Sequence, residues 1–118
     1  MAMTKIFEQL QSGGTACFLI VNGDTIDIGT GENADLTDAA GDTQSVSITK
    51  LHWSGTVSIT DGAVTIPLTG NGAWCQFNGW TPVECDSDIV VTGAGTLFIE
   101  IKKRAGYEHR NDYSNAAI

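Results

Sequence analysis

At 118 residues the chain is the size of one domain, too short for a catalytic domain joined to a separate binding domain. Six basic against fourteen acidic residues leave a net charge of −8, which argues against a nucleic-acid partner, because phosphate binding needs a basic patch. A hydrophobic share of 42% with 17% charged residues describes a globular chain. No apolar run approaches the roughly 20 residues that cross a bilayer. The start, with Phe7, Glu8 and Gln9, lacks a signal-peptide core, so the expectation is a soluble protein made in the cytoplasm with no membrane partner.

In chain order, residues 4–10 have the spacing of a short helix with Ile6, Phe7 and Leu10 on one side, ended by Gly13-Gly14. So short a segment needs a surface to dock on, and residues 1–14 are read as a helical or extended N-terminal arm. From residue 15 to 104 the pattern is short strands punctuated by eleven of the chain's fourteen glycines. Asn22-Gly23, Asp61-Gly62, Asn71-Gly72 and Asn78-Gly79 have the turn chemistry of tight hairpins. A hairpin at Asn22-Gly23 would put Cys17, Leu19 and Val21 on a dry face with Ile26 and Ile28, leaving Phe18 and Ile20 half wet. One at Asp61-Gly62 would pair Ile59 with Val64 and Val57 with Ile66. A third, through Gly93-Ala94-Gly95, would put Ile89, Val91, Leu97, Ile99 and Ile101 on one face, with Asp88 opposite Glu100. Between these, Val46 and Ile48 have one parity and Leu51 and Trp53 the other, which places a bulge near Thr49-Lys50.

The whole predicts an all-β, antiparallel, jelly-roll-like β-sandwich over residues 15–104, followed by a polar C-terminal tail, 105–118, anchored only by Tyr107 and Tyr113. The aromatic stretch with Trp74, Phe77 and Trp80 has three readings: core filling with Phe77 and Trp80 paired across a turn, a subunit interface, or a sugar platform.

Little in the sequence points to chemistry. Cys17, Cys75 and Cys85 fit no metal or redox spacing and read as small buried hydrophobes, a Cys75 to Cys85 bridge being the second choice. Asp24, Asp27, Glu32, Asp35, Asp38 and Asp42 form an acidic loop without the calcium-loop pattern. Residues 29–34 match G-x-G-x-x-A by letter, but no room follows for the helix that a dinucleotide site needs. His52 and His109 stand near no nucleophile or ligand motif. The expectation is therefore a non-enzyme with no catalytic residues, no metal and no cofactor.

The strand run Ser45 to Ser54, then Val64 to Leu68, then the aromatic-glycine stretch, then Asp88 to Gly93 and Thr96 to Lys103, resembles small virion structural proteins of tailed bacteriophages. It is similar in particular to capsid cement or decoration proteins with a β-sandwich or jelly-roll body. That resemblance implies a protein on the outer capsid surface, with the major capsid protein and further copies of itself, as a homotrimer, for partners. Ile6, Phe7, Leu10, Trp80, Tyr107 and Tyr113 are the interface residues expected on this reading. The alternative is a carbohydrate-binding or receptor-recognition module of a head fibre or tail.

Overall fold

The computed structural model describes residues 2–9, 13–31, 34–37, 39–41, 43–75 and 83–107. Among them are ten strands and no helix: β1 (Ala2–Glu8), β2 (Thr15–Val21), β3 (Asp24–Ile26), β4 (Ser45–Ser54), β5 (Val57–Asp61), β6 (Val64–Leu68), β7 (Asn71–Cys75), β8 (Val83–Cys85), β9 (Ile89–Thr92) and β10 (Thr96–Ala105). They form an antiparallel β-sandwich. One sheet is six-stranded, ordered β1-β2-β10-β4-β7 with β8 also paired to β4; the other is four-stranded, ordered β3-β9-β5-β6.

Residues 4–10 do not begin as a helix: through Glu8 they belong to edge strand β1, paired with β2. Ile6 is the extra residue of a bulge in that pairing. Seven residues cannot sustain an isolated helix, whereas the open edge of β2 offers a complete ladder of hydrogen-bonding partners.

Two of the expected hairpins are sheet crossings. Asn22-Gly23 carries the chain from β2 in one sheet to β3 in the other, and Gly93 to Gly95 carries it from β9 back to β10. Both segments do adopt positive φ, at Asn22, Gly23 and Gly93, so the local conformation follows the residue types while the partner does not. One consequence is that β2 faces the opposite way from the expectation. Phe18 and Ile20 are fully buried, and Cys17, Leu19 and Val21 lie on the outer side. Another is that Asp88 never meets Glu100: it turns to accept a hydrogen bond from the Ile28 N–H at 3.1 Å.

The β5–β6 hairpin is real, but its register is shifted by two residues: Ile59 pairs with Ile66, Val57 with Leu68 and Asp61 with Val64. The two-residue loop is Gly62-Ala63, with Gly62 at φ 59°, which places glycine first as a type II′ turn requires. Asn71-Gly72 is not a turn either. It opens β7, where Gly72 lies opposite Trp53 and has no room for a Cβ beneath that ring.

The parity change in β4 is a bulge at Thr49. Lys50 pairs with Glu100 and Ile48 with Ile101, leaving Thr49 without a partner on β10. Its hydroxyl bonds the Glu100 carbonyl and carboxylate at 3.1 and 2.9 Å. Val46, Ile48 and Leu51 are thereby all turned inward. There they meet Phe18, Ile20, Leu97, Ile99 and Ile101 from their own sheet, and Ile26, Val57, Ile59, Ile89 and Val91 from the other. Each such burial stabilises by about 1.5–3 kcal/mol relative to exposure.

Candidate functional site

The inner space between the sheets is filled by apolar side chains, mostly aliphatic with Phe18 and Tyr107 among them, so the candidate site lies outside it. The register fixes the outer face of the six-stranded sheet row by row. One row runs Thr4, Leu19, Phe98, His52, Ala73, and the next Phe7, Cys17, Glu100, Lys50, Cys75. Thr15, Lys102, Ser47 and Glu84 form a third. A hollow of about 420 Å³ opens on this face, lined by Lys50, His52, Ala73, Trp74, Cys75 and Phe98, with Leu51 at its floor. A second, of about 230 Å³, shares His52 and Phe98 and extends to Leu19, Trp53, Ser54 and Thr96. Apolar side chains are exposed on this face at Val21 (37%) and Phe7 (47%), among the polar and charged residues of the same rows.

Its charges are paired loosely. Lys50 lies 3.9 Å from Glu100, which also accepts from Thr49 and faces the Cys17 thiol at 3.8 Å. Burial, with the Glu100 carboxylate beside it, pushes the Cys17 thiol up to about 11. Ser47 is buried in the third row, and its hydroxyl has no hydrogen-bond partner among the described residues.

At the far end of the same sheet is a buried ion pair. Lys103 is fully buried and sits 2.7 Å from Glu8. Its ammonium also donates to the Gln9 carbonyl at 2.9 Å and lies 5.6 Å from the centre of the Tyr107 ring. Glu8 further accepts from Lys5 and from the Thr37 amide and hydroxyl. Burial alone would raise the Glu8 pKa, but these hydrogen bonds, that of Lys103 foremost, outweigh it and hold the carboxyl at about 2. The cluster fastens the end of β1 to β10 and to the loop carrying Thr37.

The expected interface residues divide. Ile6 and Phe7 are exposed on edge strand β1, at 51% and 47%. Tyr107 is buried, its hydroxyl donating to the Ile28 carbonyl at 2.6 Å, so its ring packs inside the chain and not on its surface. Leu10, Trp80 and Tyr113 lie outside the described residues, as do Phe77, the Asn78-Gly79 turn and His109. The sequence reading missed Leu19, Val21 and Phe98 as surface residues; alternation along β10 was the available signal, since Phe98 is out of phase with Leu97 and Ile99.

Within the acidic loop, Asp35 accepts from the Asp27 amide at 2.7 Å and Asp27 from the Gly29 amide at 3.0 Å. These carboxylates cap backbone. No group of three or more His, Cys, Asp or Glu side chains converges as metal ligands do among the described residues. Burial raises the Asp35 pKa, and the carboxylates of Asp27 and Asp24 add to the rise against the Asp27 amide, which lowers it. No helix follows residues 29–34 among those described. All three cysteines are free thiols, Cys17 and Cys85 buried and Cys75 partly so. Burial, with Asp61 and Asp86 nearby, pushes Cys85 up to about 12.

No protein-family model matches the chain, and no curated protein matches it. Among solved structures it is similar to a cupin superfamily protein from Desulfitobacterium hafniense, at 10% identity and a TM-score of 0.41, over 88% of this chain and 77% of that one.

Proposed function

We propose that this chain is a non-catalytic virion structural protein, a capsid cement or decoration protein that works by burying surface across neighbouring subunits. The observation that carries the reading is the outer face of the six-stranded sheet. It sets the apolar side chains Leu19, Val21, Phe7 and Phe98 among the polar and charged ones of His52, Lys50, Glu100, Lys102 and Glu84. Exposed apolar area rimmed by polar side chains marks association surfaces. On this reading the major capsid protein and further copies of the chain, as a homotrimer, are the partners, and binding at several points turns modest affinity per site into lattice stabilisation.

Purified particles of the source phage provide the test. The expected result is the chain in regular array on the capsid exterior, with particles that resist heat better when it is bound. Absence from the particles removes the assignment. Deleting residues 1–12 would be a poor probe, because it strips Glu8 from Lys103. Exchange of Ile6 and Phe7 for serine, which leaves that pair intact, is expected to lower capsid occupancy.

A second reading, a carbohydrate-binding module, draws on Trp74, which is 36% exposed and lines the larger hollow. It predicts a change in tryptophan fluorescence on titration with glycans, abolished by Trp74→Ala. The cement reading predicts none.

A further inference from the structure

Strand β1 adds almost nothing to the core. None of its seven residues is buried, and only Met3 packs against the margin of an apolar cluster whose buried members run from Ala16 to Tyr107. β1 is the last strand of its sheet, and its ladder to β2 is interrupted at Ile6. What holds it is the charge cluster at its C-terminal end. Glu8 meets Lys103 at 2.7 Å and Lys5 at 2.8 Å, and accepts from the Thr37 amide and hydroxyl at 2.6 and 2.9 Å. The fully buried Lys103 thus draws its countercharge from β1; its other hydrogen bond goes to the Gln9 carbonyl.

The charged and titratable groups around this cluster come from three places. β1 contributes Lys5 and Glu8 themselves. β10 and the residues after it contribute Lys103 and Tyr107, whose hydroxyl lies in the field of Glu8, Asp27 and Asp88. The segment after β3 contributes Asp35, with Asp27 and Asp24 beside it. Burial and those neighbours raise Asp35, so it takes up a proton before Glu8 does as pH falls. That step leaves β1 in place, because Lys5 is bound by the main-chain carbonyl of Asp35, at 3.1 Å, and not by its carboxylate.

We propose that β1 is an acid-released strand: when Glu8 is protonated, β1 leaves β2 as a unit while the body from β2 to β10 keeps its pairing. Protonation cancels the charge that matches Lys103, and a buried ammonium without its carboxylate is strongly destabilising. Moving the strand that supplied the partner lets water reach that ammonium. Removing β1 takes little apolar area out of the core, so the two sheets stay packed. Free of the cluster, Glu8 has the ordinary value of 4.5, and within it about 2. Release is therefore linked to uptake of one proton, and the hold on β1 weakens about tenfold per pH unit between those values, roughly 300-fold in all. The device belongs to the isolated chain and does not depend on the partners proposed above.

Hydrogen exchange of the full chain, read residue by residue from pH 6 to 2 and corrected for the intrinsic rates, tests this. Amides of β1 are expected to be at least about a hundredfold less protected than those of β5, β9 and β10, and to lose all protection near pH 2 while those strands keep theirs. Glu8→Gln is expected to strip β1 of protection already at pH 6, with the circular dichroism of the sandwich retained. Glu8→Leu with Lys103→Met, which replaces the pair by apolar side chains, is expected to keep β1 protected at pH 2. Loss of protection in step across all strands, or a β1 still protected at pH 2 in the unaltered chain, would overturn the assignment. So would fast β1 exchange indifferent to Glu8→Gln, which marks ordinary fraying of an end, a Glu8→Gln chain without its sandwich, or acid release that persists in the paired variant.

Discussion

The two outer faces of the sandwich are built on the same backbone pattern and carry different surfaces. Across the four-stranded sheet the outward rows are Thr25, Val90, Thr60, Thr65 and then Thr92, Ser58, Pro67. They are short, uncharged and mostly hydroxylated, with Thr60 and Thr65 hydrogen-bonded across the hairpin at 3.1 Å. Across the six-stranded sheet the outward rows hold Leu19, Phe98 and Phe7 together with Lys50, Lys102, Glu84 and Glu100. Threonine and valine suit an exposed strand for local reasons, since a β-branched side chain packs on a pleated surface without needing a partner layer. Phenylalanine and leucine in water have no such reason. The face that departs from what folding requires is the one to which a function can be attached.

The comparison breaks most visibly through the buried charge of Lys103, which among the described residues belongs to the six-stranded sheet alone. Glu8→Gln leaves the Lys103 ammonium buried without its carboxylate, and the expected loss in urea unfolding is about 3–5 kcal/mol. Asp86→Asn on the acidic side is expected to stay within about 0.5 kcal/mol.

Truncating inner positions should erase the difference between the sheets. Ile99→Ala and Ile59→Ala remove fully buried side chains from opposite layers of one core, and each is expected to cost about 2–5 kcal/mol. Phe98→Ser, one residue from Ile99 but outward-facing, is expected to cost about half as much or less while reducing binding to the partner.

Acid titration should separate the two regions by sign. The Glu8 pKa in the folded chain, about 2, lies below its ordinary 4.5. Its contribution to stability is full above that ordinary value and is lost as pH falls towards 2. Asp35 is shifted the other way, above 3.8, by burial first and then by neighbouring carboxylates, so its contribution improves as pH falls through that raised value. Unfolding followed from pH 6 to about 2 should therefore fall steeply in the unaltered chain, and less steeply in Glu8→Gln.

Thiol labelling gives the smallest effect. Cys17 and Cys85 are buried with raised pKa values, so Cys75, at the rim of the larger hollow, is expected to react first in the native chain and all three only after unfolding.

Strand content, the inward parity of β9 and β10 and the bulge at Thr49 were legible in the sequence, because each is written in alternation along a single strand. Of the strand pairings, that of β5 with β6 was legible, though not its register, and the partners of β2, β3, β9 and β10 were not. Asn22-Gly23 and Gly93-Ala94-Gly95 have the composition of hairpin turns, and a glycine with positive φ serves a crossing between sheets as well as a return within one. The orientation of β2 was ambiguous for a different reason. From Ala16 to Val21 the strand is apolar on both sides, as it must be when one side meets the core and the other forms the surface described above, so alternation carries no information there. The buried pair of Lys103 and Glu8 joins residues 95 positions apart, a distance no local pattern spans.

The edge of β4 is served by two short strands in succession, β7 ending at Cys75 opposite Lys50 and β8 starting at Val83 opposite Ile48. The sheet thus holds both ends of segment 76–82 within a few residues of one another, on either side of the Thr49 bulge. Pairing along Val46 to Ile48 and again along Lys50 to Ser54 covers β4 on that side except at the bulge, so an incoming strand from another molecule finds no open ladder on β4 itself.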